Sequence, residues 1–196
     1  MNNKKTNRPN NNNYGNIETT YSVTGFSARK KQRLELAQVM QEWTKGFNLF
    51  LTFKFSQGNL MNHDRALKIY SLFWNKMDRL WYSSPQIKKG LRIPRVSFVQ
   101  MGSSGSNIHM HALTKANDAL VFKNIAENIW HATDKFTHDL HIEFIRNLDA
   151  SNLYLAHEFT LRGSDSFLPE HTHISNTNVP PTKSMSQLKR LLKHCN

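Results

Sequence analysis

At 196 residues the chain suits one domain with a sizeable core, and 38% hydrophobic residues, twelve Phe among them, support a folded body. A net charge of +12 and a pI near 10.0 point to a polyanionic partner, most often nucleic acid, because neutralised phosphates release counterions. The lone Cys195 excludes a disulfide framework or multi-cysteine zinc site and fits a reducing cytoplasm, while no apolar run suits a membrane span or signal peptide.

Residues 1–20 carry Asn10 to Asn13 with Lys4, Lys5 and Arg8, a composition that predicts a disordered basic tail. Ser27 is the expected N-cap of a helix to about Trp43, with Leu36, Val39, Met40 and Trp43 at helical spacing. Arg29, Lys30, Lys31 and Arg33 crowd its first turns, where cations oppose the helix dipole; a phosphate backbone or plain solvent must offset this. Phe47 to Phe55 is the strongest strand signal, closed by Gly58 and Asn59. From about His63 to Tyr82 an apolar stripe through Tyr70, Phe73, Trp74 and Met77 predicts a core-facing helix. Pro85 to Pro94 reads as a loop, with Lys88, Lys89, Arg92 and Arg95 in or beside it.

Val96 to Met101 and Ile108 to Leu113, joined by the turn residues 102–107, form the expected hairpin. Asn117 or Asp118 caps a helix to about Thr133 that buries Leu120, Val121, Ile125 and Ile129. Leu140 to Ile145 alternates as a fourth strand, and Asp149 or Ser151 starts a short helix reaching Phe159. Beyond Arg162, Pro169, Pro180 and Pro181 interrupt a polar stretch with a small basic helix at Ser186 to His194. The expectation is an α+β fold: a central antiparallel sheet of four to five strands, helices packed on one face and the other face open for chemistry. The domain spans 21–162, between the tail at 1–20 and a polar, partly disordered basic tail at 163–196.

Chemistry concentrates in two places. Strand alternation puts His109 and His111 on one face, where two imidazoles can hold a divalent cation, and Gln100 adds an oxygen if the hairpin register places it alongside. The plainer reading is two histidines on a half-exposed strand. On the short helix Tyr154, His157 and Glu158 share a face: a phenol that can act as nucleophile, an imidazole that can position a phosphate or move a proton, and an oxygen ligand. A zinc site adding His171 and His173 is the weaker alternative, because both lie in a Pro-flanked stretch.

Three segments in order resemble the HUH single-strand endonucleases, specifically the rolling-circle replication initiators of small circular DNA viruses, phages and plasmids. Leu49-Phe50-Leu51-Thr52-Phe53 is similar to the family's first motif, His109-Met110-His111-Ala112-Leu113 to its histidine–hydrophobic–histidine motif, and Tyr154-Leu155-Ala156-His157-Glu158 to its tyrosine motif. The resemblance covers roughly residues 46–160. It implies Mg²⁺ or Mn²⁺ held by His109, His111, Gln100 and Glu158, and attack by Tyr154 on a phosphodiester, leaving a 5′-phosphotyrosine and a 3′-hydroxyl. The substrate would be single-stranded or origin DNA, with Lys54, Arg92 and Arg95 on its backbone. Two positions depart from the family: His157 stands where it has lysine, and Gln100 where a carboxylate is common. No P-loop follows, so unwinding would fall to a separate helicase and synthesis to a host polymerase, in the cytoplasm or inside a host cell. A single-tyrosine transposase or relaxase shares this chemistry. From another class, a non-catalytic single-stranded nucleic-acid-binding protein would use basic and aromatic residues of the sheet face, with Lys54, Arg92, Arg95 and Arg146 mattering more than His109.

Overall fold

The computed structural model describes residues 23–56, 61–101, 107–162 and 166–174; the basic tail at 1–20 and the helix expected at Ser186 to His194 lie outside them. In chain order the elements are α1 (Val23–Trp43), β1 (Leu49–Phe55), α2 (His63–Trp81), α3 (Ser84–Lys88), β2 (Arg95–Met101), β3 (Ile108–Thr114), α4 (Ala119–His131), β4 (Thr137–Phe144) and α5 (Leu148–Arg162). The four strands make one antiparallel sheet in the order β2-β3-β1-β4, the α+β architecture expected from the sequence. None of the described helices is long and apolar enough to cross a membrane.

The sheet is central because its middle strands alternate strictly. Leu49, Leu51, Phe53 and Phe55 of β1, with Ile108, Met110 and Ala112 of β3, point to one face and are buried under α2 and α4. Phe53 is fully buried, its ring edge-on to Tyr70, Phe73 and Trp130 at centroid distances of 4.9, 5.0 and 5.0 Å. Each such pair adds about 0.5–1.5 kcal/mol beyond the burial itself. Asn62 caps α2 by accepting from Arg65 N, and Asp118 caps α4 by accepting from Val121 N. Leu120, expected in the core, is 65% exposed in the first turn of α4; Phe122 is the residue that turns inward.

The opposite face is not bare. There α1 and α5 pack on each other and bury Met40, Phe47, Val96, Phe98, Leu113 and Leu155 over one end of the sheet. Arg33, read as one of several cations crowding a helix start, donates from Nε to Leu153 O at 3.1 Å and so ties α1 to α5. The helix begins at Val23, so Ser27 sits inside it and is not its cap.

Two segments read as irregular have structure. At the start of the expected loop, Ser83 caps α3 through a capping box with Gln86, and Pro85 sits in the first turn of this helix, which is too short to show a period. Residues 166–174, expected in a polar tail, run along the outer edge of β2: Leu168 N donates to Ser97 O at 3.0 Å, and Arg95 and His173 exchange backbone hydrogen bonds of 2.8 and 2.7 Å. Unpaired backbone groups of an edge strand drive this pairing, which side-chain polarity does not report.

Arg95 is 2% exposed, makes two hydrogen bonds to the Asp78 carboxylate (2.9 and 3.1 Å), and stacks on Trp74 at 4.4 Å. Arg92 also reaches Asp78, at 3.5 Å, and donates to Ile87 O and Leu91 O. The expected role of Arg95 in contacting DNA therefore fails, because its guanidinium is spent inside the fold; Arg92 is held in the same network. Asp78→Ala should cost about 3–5 kcal/mol in urea unfolding by leaving a buried cation uncompensated. A loss under about 1 kcal/mol, the scale of an exposed pair, would contradict the assignment.

Burial first, then the charges of Arg95 and Arg92 and the nearby His171, lower His173 from 6.5 to about 4. The unfolded chain then takes up this proton first, so stability is full above pH 6.5 and falls as pH drops toward 4. Thermal unfolding should show that decline, with a shallower slope in His173→Asn; identical slopes would refute it.

Candidate active site

The same alternation that buries Ile108 and Met110 sends His109 and His111 to the other face. Antiparallel pairing sets Gln100 opposite His109 on one side of β3, and Thr52 opposite His111 with Lys54 opposite His109 on the other. Gln100 therefore lies beside both histidines, opposite His109 and within hydrogen-bond distance of His111. His111 is 3% exposed and held from both ring nitrogens: Nδ1 lies 3.1 Å from Thr52 Oγ1, and Nε2 lies 2.6 Å from Gln100 Oε1. The two imidazole centroids are 6.4 Å apart.

Tyr154 comes to this spot on α5. The helix is seated by Leu155 in the core, by Asn152, whose side chain donates to Thr44 Oγ1 at 3.1 Å, and by Asn147 Oδ1, which accepts from Ala150 N at 3.0 Å. The Tyr154 hydroxyl donates to Gln100 Oε1 at 3.1 Å, and its ring stands edge-on to His111 (5.8 Å) and to Phe50 (6.0 Å). At 47% exposure it remains open to solvent, on the wall of a cleft of about 930 Å³ that also includes His109, His141 and Arg146.

Of the other expected site residues, Lys54 is exposed beside His109, where its ammonium reinforces the effect of burial in lowering the His109 pKa. His157 is exposed and does not line the cleft. The Glu158 side chain lies outside the described residues. His171 packs on Tyr70 (5.3 Å) and hydrogen-bonds Ser71 (3.1 Å), both on α2, so it belongs to the other side of the sheet from His109 and His111. The four-histidine zinc arrangement does not form.

Burial, with His109 as neighbour and a partly opposing hydrogen bond to Leu51, pushes His111 from 6.5 down to about 3. It is therefore neutral at physiological pH, the form that ligates a cation. Thr52 can serve His111 in either tautomer: its hydroxyl can donate to Nδ1 when Nε2 carries the proton, or accept from Nδ1–H when the Nε2 lone pair is free to face an ion. Two neutral imidazoles and an amide oxygen fit Mn²⁺ better than Mg²⁺, which favours an all-oxygen shell. No cluster of three His, Cys, Asp or Glu is present among the described residues, so a carboxylate is missing from this set. Thr52, His141 and Glu143 were not anticipated. Thr52 lies within the F-L-T segment, but its role follows from strand pairing that the sequence alone does not give.

No family model matches the chain, and neither curated proteins nor solved structures yield a match.

Adding charge to the ligand set should strengthen it: Gln100→Glu should tighten Mn²⁺ binding about tenfold in calorimetry, close to 1.4 kcal/mol. His111→Ala should abolish saturable binding. Unchanged affinity in both variants would remove the cation site.

Proposed function

We propose that the protein is a replication-initiation endonuclease that nicks and rejoins single-stranded DNA at an origin through a 5′-phosphotyrosine on Tyr154. The observation that carries this reading is one shared atom. Gln100 Oε1 accepts from the Tyr154 hydroxyl and lies 2.6 Å from His111 Nε2, so phenol, amide and imidazole from three elements meet on the open side of the sheet. The convergence supports the resemblance in its histidine and tyrosine motifs, and the 3.1 Å contact of Thr52 Oγ1 with His111 Nδ1 brings the first motif to the same spot; residues far apart in sequence have no structural need to meet around an exposed phenol.

In this reading Tyr154 Oη attacks phosphorus as the P–O3′ bond breaks; the phenolic proton leaves to water at the exposed end of the ring, and the departing 3′-oxygen takes one proton from water to become the 3′-hydroxyl. A divalent cation on His109, His111 and Gln100 would polarise the phosphate and stabilise its developing charge. Lys54, exposed next to His109, offers a fixed charge to a flanking phosphate. The released 3′-hydroxyl primes synthesis by a host polymerase, with a separate helicase opening the duplex. When a 3′-hydroxyl later attacks the phosphotyrosine, one phosphodiester replaces another, so joining needs no nucleotide cofactor. Transposases and relaxases of the same chemistry differ in the DNA they serve, not in this step.

Tyr154→Phe should abolish the covalent protein–DNA adduct formed with labelled single-stranded origin DNA and Mn²⁺, while changing DNA affinity by no more than about twofold. An adduct that persists in the variant would overturn the nucleophile assignment. Binding insensitive to EDTA, with no cleavage by the parent protein, would favour a non-catalytic single-strand-binding role.

A further inference from the structure

We propose that Glu143, oriented by His141, reads the Watson–Crick edge of an unpaired base beside the Tyr154 site, with guanine the base it prefers. This deepens the reading of the cleft as a single-stranded DNA site and rests on it. On β4 the pairs Thr52↔His141 and Phe50↔Glu143 put both side chains on the face that carries His111 and Tyr154. His141 Nε2 and Glu143 Oε1 are 2.6 Å apart although the two side chains are 61% and 62% exposed. Both line the same cleft as Tyr154.

The sign of the charge makes Glu143 informative. Among the described residues that line the cleft it is the one carboxylate, set among Lys123, Arg146 and three histidines. A site that holds phosphates gains nothing from an exposed carboxylate, which repels them. An ionised carboxylate only accepts hydrogen bonds, so the part of a nucleotide it suits is a base edge rich in donors. Guanine presents N1–H and the N2 amino group side by side, matching two carboxylate oxygens. Adenine and cytosine place a ring acceptor beside their single amino donor, and thymine flanks its one N–H with two carbonyls. The Nε2–H of His141 fixes the carboxylate and leaves lone pairs free on both oxygens. Phe50 and Tyr154, already in edge contact at 6.0 Å, supply aromatic surface for the base plane.

The test is enrichment of a random single-stranded DNA pool by the full chain in EDTA, which prevents cleavage, followed by sequencing of the bound fraction. The parent protein should enrich guanine at one position. Glu143→Gln should lower that preference about tenfold and raise adenine there, because a side-chain amide offers one donor and one acceptor. His141→Asn, which frees the carboxylate without removing it, should weaken the preference by less. Binding without guanine enrichment, or a guanine preference unchanged in Glu143→Gln, would overturn this inference and leave the cleft's proposed role intact. Failure of the parent protein to bind the pool, in EDTA and with Mn²⁺ alike, would overturn both.

Discussion

The two-residue period of β3 constrains the rest of the molecule. Ile108, Met110 and Ala112 must enter the core under α2 and α4, and a strand that sends these three inward has to send His109 and His111 outward. A slip of one residue would turn the apolar set away from α2 and α4 and drive both imidazoles into that apolar core, so the register of the site is fixed by the packing on the opposite face. Pairing on both sides of β3 makes the constraint stricter. β2 brings Gln100 and β1 brings Thr52 to His111, and neither can shift without breaking its own ladder.

The second requirement is a partial cover. α1 and α5 seal one end of the cleft-bearing face with Met40, Phe98, Leu113 and Leu155, and leave Tyr154 at the border of that cover. That boundary accounts for two properties that otherwise compete. His111 is buried enough to stay neutral far into acid, while Tyr154, in ring contact with it, is exposed enough to meet a polymer. The cations divide in the same way. Arg95 and Arg33 serve the fold, whereas Lys54, Lys123 and Arg146 border the cleft or line it. A high net charge therefore overstates the number of positive groups free to meet phosphate.

Strong periodicity made much of this legible in the sequence. The alternation of Leu49 to Phe55 and Ile108 to Thr114, and the stripe on α2, gave the sheet, its main cover and the shared face of the two histidines. Leu120 and Ser27 misled for a local reason: propensity and spacing do not say where the first turn of a helix points. Arg95 misled for a tertiary one, since its partner Asp78 sits on the inward face of α2 and only the folded chain joins them. Residues 166–174 resemble a tail in sequence because backbone pairing to an edge strand leaves no hydrophobic signature. His141 and Glu143 become a pair beside the site only once β4 is known to neighbour β1, an adjacency that alternation cannot supply.

In the proposed site the Tyr154 phenol and the two imidazoles surround one cation-binding point. Paramagnetic broadening by substoichiometric Mn²⁺, followed on resolved His and Tyr side-chain resonances, tests this directly. His109, His111 and Tyr154 should broaden together at the lowest additions while His171 and His173, across the sheet edge, stay sharp. Broadening that begins at His171 and His173, or that leaves Tyr154 untouched while the other two disappear, would contradict it.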